Sequence, residues 1–311
     1  MVYRSLSDLS NLVRENIYKV PHDIDLVVGI PRSGMLPAMM IALYLNKKVT
    51  DLESFIEGRV FEAGERTRYI QEQQFRKVLI VDDSVCSGNA IKKAKQKLQS
   101  VADKYELIFL APIIRSEGKD LVDIYFEIID DARIFEWNLM HHSYLQTACV
   151  DIDGVLNVDP KVDDDGPLYR EFLKNAAPLF VPTAPIGALV SCRLEKYRTL
   201  TEEWLEKYHI QYGTLVMLPF ATKSERVAWG KHGEYKAEYY KSREDLDLFI
   251  ESSKEQARII ADISQKPVIC IETNTLMIPN SPKVSFFKRV KRYIRKHYPQ
   301  VYTTNQKLFK K

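Results

Sequence analysis

The chain has 311 residues, with 45 Lys and Arg against 42 Asp and Glu and a formal net charge of +3. At 45% apolar and 28% charged residues, with 12 Gly and 14 Pro, it is neither low-complexity nor collagen-like, and its length suits about two domains. No run approaches the ~18 apolar residues of a membrane span, and Arg4, Asp8, Arg14, Glu15 and Lys19 break any apolar leader at the start. The expectation is a cytoplasmic protein whose four cysteines, Cys86, Cys149, Cys192 and Cys270, stay reduced, because they are far apart and lack zinc spacing.

Short apolar strands alternating with amphipathic helices predict an α/β protein with two Rossmann-like parallel-sheet domains. In chain order, strands are expected at 25–30, 78–81, 107–113 and 124–129, with helices at 36–45 and 90–104. After a boundary near 142–147, strands follow at 148–152, 186–190, 214–217, 246–250 and 268–271, with helices at 197–208 and 254–263. The expected domains are 1–146 and 147–280, followed by a tail at 281–311.

In the first half, the strand pattern Val78-Leu79-Ile80-Val81 ends in Asp82 and Asp83 and continues through Ser84-Val85-Cys86-Ser87-Gly88-Asn89 into a helix. Backbone N–H groups at a loop-to-helix junction bind phosphate through the positive end of the helix. Adjacent carboxylates at a strand tip accept hydrogen bonds from a vicinal diol. Upstream, Leu26-Val27-Val28-Gly29-Ile30-Pro31-Arg32-Ser33-Gly34-Met35 is again strand, tight turn and helix, with one Arg in the turn.

In this order and spacing, the two segments resemble the ribose-phosphate and pyrophosphate loops of type I phosphoribosyltransferases, which use 5-phosphoribosyl 1-pyrophosphate (PRPP). The resemblance implies that Asp82 and Asp83 hold the ribose hydroxyls of PRPP. It places Ser84, Ser87, Gly88 and Asn89 on the 5-phosphate and Arg32, Ser33 and Gly34 on the leaving pyrophosphate, with Mg²⁺ accompanying the donor. The span 58–69, with Arg59, Arg66 and Arg68, resembles the mobile loop of that family. Cys86 and Ala90 stand where the family often has hydroxyl residues, which leaves those phosphate contacts to backbone amides. No nucleobase-reading hood is recognisable, so the acceptor stays open.

In the second half, Cys149-Val150-Asp151-Ile152-Asp153-Gly154 places two carboxylates two residues apart at a strand end. That spacing suits a nucleophile beside an acid/base, with Mg²⁺ between carboxylate and phosphate. It resembles motif I of the haloacid dehalogenase (HAD) superfamily in its phosphatase form, and further elements follow in the family's order. The resemblance implies Asp151 as nucleophile, Asp153 as acid/base, Ser191 as a phosphoryl-oxygen donor and Lys236 as the neutralising cation, with Lys223 as its competitor. Mg²⁺ would be held by Asp151, Asp153 and Glu251. Where motif IV usually has paired aspartates, this chain has Glu251-Ser252-Ser253. The short spans between motifs leave room only for a minimal cap, hence an open site.

Ten cations and no acid lie beyond Glu272, so an acidic body of −7 carries a +10 tail. Ser281, Pro282 and Pro299 bound a helix in which Phe286, Phe287, Val290, Tyr293 and Ile294 share one face and the cations the other. Such a basic amphipathic helix over 282–298 suits an anionic membrane surface at the inner face, with docking on the acidic body as the alternative and nucleic acid as the least expected partner.

The two resemblances imply one bifunctional enzyme. It would transfer ribose 5-phosphate from PRPP to an acceptor hydroxyl, then remove the 5-phosphate to leave a ribofuranosyl group. The expected acceptor is a saccharide or glycolipid. The alternatives are a nucleobase phosphoribosyltransferase coupled to a nucleotidase, and a PRPP-sensing regulator that binds RNA.

Overall fold

The computed structural model describes residues 1–61, 64, 75–161 and 165–279. The basic tail at 281–311 and the arginines Arg66 and Arg68 lie outside the described residues. The chain divides into two compact units, one from Met1 to His142 and the other from Ser143 onward. At this boundary the 3₁₀ turn Ser143–Thr147 leads directly into the first strand of the second unit. Among the described residues no helix is long and apolar enough to cross a membrane.

The first unit contains β1 (Val2–Arg4), α1 (Leu6–Asn16), β2 (Leu26–Gly29), α2 (Met35–Leu45), β3 (Lys48–Asp51), α3 (Leu52–Ile56) and β4 (Lys77–Val81). It continues with β5 (Ser84–Val85), α4 (Asn89–Leu98), β6 (Glu106–Ile114), β7 (Ile124–Ile128) and β8 (Arg133–Phe135). The main sheet runs in the order β3-β2-β4-β6, with β5 and β7 both pairing with β6 and every pairing parallel. Alternation along the strands explains why both faces are apolar. Leu26, Val28, Val78 and Ile80 pack on Leu52, Phe55, Ile91 and Leu98 of α3 and α4. Their neighbours Val27, Leu79 and Val81 pack on Leu9, Val13, Ala38 and Ile41 of α1 and α2. Each fully buried side chain of this kind contributes roughly 1.5–3 kcal/mol.

Helix α1 starts at a capping box, in which the Asp8 amide donates to Ser5 Oγ at 3.0 Å and the Ser5 amide donates to Asp8 Oδ2 at 2.9 Å. Helix α4 is shorter than expected. It stops at Leu98, where the Val101 amide donates to the Leu98 carbonyl and Val101 turns into the core, and a single 3₁₀ turn, Ala102–Lys104, follows.

The second unit contains β9 (Ala148–Val150), α5 (Pro167–Asn175), β10 (Ile186–Leu194), α6 (Arg198–Lys207), β11 (Tyr212–Leu218) and α7 (Lys223–Trp229). After these come α8 (His232–Ser242), β12 (Leu248–Glu251), α9 (Lys254–Ser264), β13 (Val268–Cys270) and β14 (Thr275–Met277). The sheet order is β11-β10-β9-β12-β13-β14, parallel except for the antiparallel β14. Cys149 and Cys270 lie in its core beside Phe249, Ala237 and Ile260, and all four cysteines are free thiols. Burial pushes the Cys149 thiol up to about 12.

In both sheets the chain winds outward in one direction and then crosses to the other side. The reversal falls between β2 and β4 in the first unit and between β9 and β12 in the second. Crevices at the carboxyl ends of strands flanking such a reversal are where parallel α/β sheets bind ligands.

Candidate functional site

Both sequence motifs of the first unit fall on its reversal. Asp82 and Asp83 follow β4, while Ile30 to Gly34 follow β2. The two loops touch through backbone: the Ile30 amide donates to the Val81 carbonyl at 2.8 Å. A Cβ added at Gly34 would sit 2.5 Å from the Ile30 carbonyl oxygen, 2.7 Å from that of Val81 and 3.0 Å from Asp82 Cα. Only glycine permits this approach. The Pro31–Arg32 peptide is cis.

Asp82 and Asp83 are only 5% and 6% exposed at the floor of the crevice, and the Asp83 amide donates to Asp82 Oδ1 at 2.9 Å. Burial, with the charge of Asp83 adding to it, pushes the Asp82 carboxyl up to about 7. Ser87 and Asn89 are exposed, Gly88 is the left-handed residue before α4 at φ 72°, and Ser84 lies on β5. The exposed Arg32 donates through Nη2 to Asn138 Oδ1 at 2.6 Å, and Ser33 is half-buried beside it. The two touching loops thus carry α4's N-terminal amides, a guanidinium and two carboxylates, a set able to hold phosphates and a diol together. Trp137 and Asn138, which the sequence reading did not single out, also belong here: Trp137 Nε1 donates to Asp83 Oδ2 at 2.7 Å. Their signal in sequence is faint, since they sit in a short 3₁₀ helix, Glu136–His141, after a three-residue strand.

In the second unit, Asp151 follows β9 and Glu251 ends β12, on either side of the reversal. Lys236, on α8, joins them: its Nζ donates to Asp151 Oδ2 at 2.7 Å and to Glu251 Oε2 at 2.8 Å. All three are buried. Burial alone would lower the Lys236 pKa, but the two carboxylates raise it, so the ammonium is retained. Burial pushes Asp151 up to about 8, with Lys236 opposing and Glu251 adding to the rise. Lys223, the competing cation, instead begins α7, where its amide donates to Asp165 Oδ2.

Ser191 lies inside β10, which runs past the expected end at 190 because its register against β11 shifts between Val190 and Leu194. Its Oγ accepts from the Arg193 amide at 3.2 Å and is 1% exposed as a residue, so it faces the protein interior. The same irregularity turns Arg193 inward onto Asp153: Nε donates to Oδ2 at 3.0 Å and Nη2 to Oδ1 at 2.7 Å. Buried Asn157 fits between them with its amide nitrogen toward Asp153 Oδ1 and its oxygen toward Arg193 Nη2. Asp153 keeps 21% side-chain exposure.

Mg²⁺ at Asp151, Asp153 and Glu251 would share these carboxylates with the two cations that contact them, Lys236 and Arg193. Glu251 Oε1 accepts from the Ser253 amide and Ser252 Oγ, and Asp151 Oδ1 from the Ile152 amide; each oxygen of Asp151, and Oδ2 of Asp153, accepts one hydrogen bond and keeps a second lone pair. Among the described residues no group of three His, Cys, Asp or Glu side chains is placed to hold a metal ion. Lys236 bridges Asp151 and Glu251, while Arg193 pairs with Asp153. Ser253 caps α9 by accepting from the Gln256 amide.

Comparison with known proteins places the first unit. The phosphoribosyl transferase domain family matches residues 4–144. Amidophosphoribosyltransferase of Lachancea kluyveri is 32% identical over 143 residues, which is 39% of this chain and 28% of the relative. Xanthine-guanine phosphoribosyltransferase of Chromohalobacter salexigens is 28% identical over 149 residues, 46% of this chain and 78% of the relative. The chain therefore spans just over a quarter of the first relative's length and about three quarters of the second's. Among solved structures, purine phosphoribosyltransferase from Pyrococcus horikoshii Ot3 aligns at 19% identity and a TM-score of 0.32, covering 44% of this chain and 92% of that one. The two loops that meet across the reversal of its parallel sheet lie within the stretch of the first unit, residues 4–144, that is similar to the phosphoribosyl transferase domain family.

Proposed function

We propose that the first unit transfers ribose 5-phosphate from Mg²⁺–PRPP to an acceptor and releases pyrophosphate. The observation that carries this reading is the close contact of the two loops at Gly34, where a Cβ would meet the Ile30 and Val81 carbonyls and Asp82 Cα. Asp82 and Asp83 accept hydrogen bonds from the ribose O2 and O3 hydroxyls, the amides from Ser84 to Asn89 at the start of α4 receive the 5-phosphate, and Arg32 with the Ser33 and Gly34 amides takes the pyrophosphate. The C1–O bond breaks with its electron pair leaving on pyrophosphate. The acceptor adds its own pair to C1 from the opposite face and loses its proton. The two acids lie where positive charge develops on the ribose ring.

For the acceptor, the similarity to a xanthine-guanine enzyme supports a nucleobase better than the saccharide expected from the sequence. A second reading keeps the saccharide and rests on the Lys236 bridge. In it, Asp151 attacks the 5-phosphate of the transfer product and Lys236 balances the charge, while the basic tail at 281–311 seeks an anionic membrane.

Incubation with PRPP and Mg²⁺, with nucleobases or saccharides as acceptors and pyrophosphate and orthophosphate followed separately, distinguishes the two. The first reading predicts acceptor-dependent pyrophosphate release with purine bases and none with saccharides. Orthophosphate release that Asp151→Asn abolishes, together with saccharide-dependent pyrophosphate release, favours the second. Absence of pyrophosphate release with every acceptor contradicts both.

A further inference from the structure

Three alternate residues of one short segment, Arg133, Phe135 and Trp137, stack in a row beside the ribose-phosphate loop. The Phe135 and Trp137 rings lie parallel, 4.7 Å apart and 2° from coplanar directions, and the Arg133 guanidinium is 5.8 Å from the Phe135 ring centre. Both ends of the row are tied to the loop after β4. Arg133 Nη2 donates to the Val85 carbonyl at 2.8 Å, and Trp137 Nε1 donates to Asp83 Oδ2 at 2.7 Å. The row is anchored in turn by the parallel pairing of β8 with β1 and by Glu136, whose carboxylate accepts from the Leu6 amide at 2.6 Å. Its next residue, Asn138, touches Arg32 of the other loop.

A carboxylate at a strand tip has freedom to rotate about its side-chain torsions. Here the indole fixes one oxygen of Asp83 and leaves the other to point elsewhere. The indole is itself held by a stacked ring, so its donor direction is set before any ligand arrives, the condition under which a hydrogen bond adds selectivity at low ordering cost. We propose that Trp137 is a positioning residue for the donor diol: its N–H orients the Asp83 carboxylate toward the ribose hydroxyls, with the Arg133–Phe135–Trp137 row as its rigid support. This rests on the reading of Asp82 and Asp83 as diol acceptors.

The test compares PRPP, ribose 5-phosphate and pyrophosphate, each titrated calorimetrically with Mg²⁺ into the full-length protein and into Trp137→Phe, which keeps the stack and removes the donor. The two diol-bearing ligands should bind the variant at least about tenfold more weakly, the scale of a lost hydrogen bond to a charged group, while pyrophosphate stays within about twofold. Equal affinity of the variant for ribose 5-phosphate overturns the proposal, as does a parallel loss for pyrophosphate, which would mark a general collapse of the crevice. A measurement on the unaltered protein stands beside it. Of the three tryptophan indole N–H resonances, one should shift with ribose 5-phosphate and not with pyrophosphate; three unmoved resonances at saturation contradict the inference. Failure of the unaltered protein to bind any of the three ligands removes the donor-site reading itself, a result separate from an unchanged variant.

Discussion

Asp82 links the site to the stability of the first unit. Its carboxyl is pushed up to about 7 in the folded chain from the ordinary 3.8, mainly by burial. The folded state therefore holds that proton over a range in which the unfolded chain has lost it. The stability associated with Asp82 is complete below about pH 4 and is lost as pH rises through about 7, a swing on the order of 4 kcal/mol at most. Asp82→Asn removes the swing. In urea unfolding the stability of the unaltered protein relative to the variant should fall from pH 4 to pH 7 and then level off, and a constant difference across that range contradicts the burial assigned to Asp82. The identities of the acids were legible in sequence because a doublet after four apolar residues is a local pattern. Their partners were not, because Trp137 reaches Asp83 from 54 positions away and Arg193 reaches Asp153 from 40, and no local periodicity records such pairings.

Among the elements, long apolar strands such as β4 and β6 were readable from the chain, since residues buried on both faces form uninterrupted runs. The three-residue β1, β8 and β14 and the two-residue β5 are too short to carry a period, and they exist because a neighbouring strand pairs with them. The extension of β10 through a register shift was hidden for the same reason, and with it the inward turn of Arg193. Gly34 is where element packing decides the site. Gly34→Ala would set a methyl group against the Ile30 and Val81 carbonyls, which are backbone and cannot step aside without moving β2 away from β4. Pyrophosphate and PRPP binding should both weaken, by about tenfold or more, because misplacement of the Arg32 loop by about 1 Å is enough to lose its geometry. An alanine variant with unaltered pyrophosphate affinity would show that the loops do not depend on this contact.

At the scale of the whole molecule, the net charge of +3 is a cancellation between an acidic body and a basic tail. The two units each bury both faces of their own sheets. A fragment of residues 1–142 should accordingly melt cooperatively by circular dichroism, whereas a gradual, non-cooperative loss of signal would mean that the first unit's core is insufficient alone. Parallel sheets were implied by the alternation of strands and helices, but which loops flank the reversal required the strand order β3-β2-β4-β6. That order is what turns two separate sequence motifs into one crevice, and the crevice is the central claim. Calorimetric titration of Mg²⁺–PRPP into the full-length protein and into the double variant Asp82→Asn, Asp83→Asn tests it most directly. The unaltered protein should show saturable one-site binding and the variant at least about a hundredfold loss; affinities within about threefold of each other would mean that the two acids do not hold the donor.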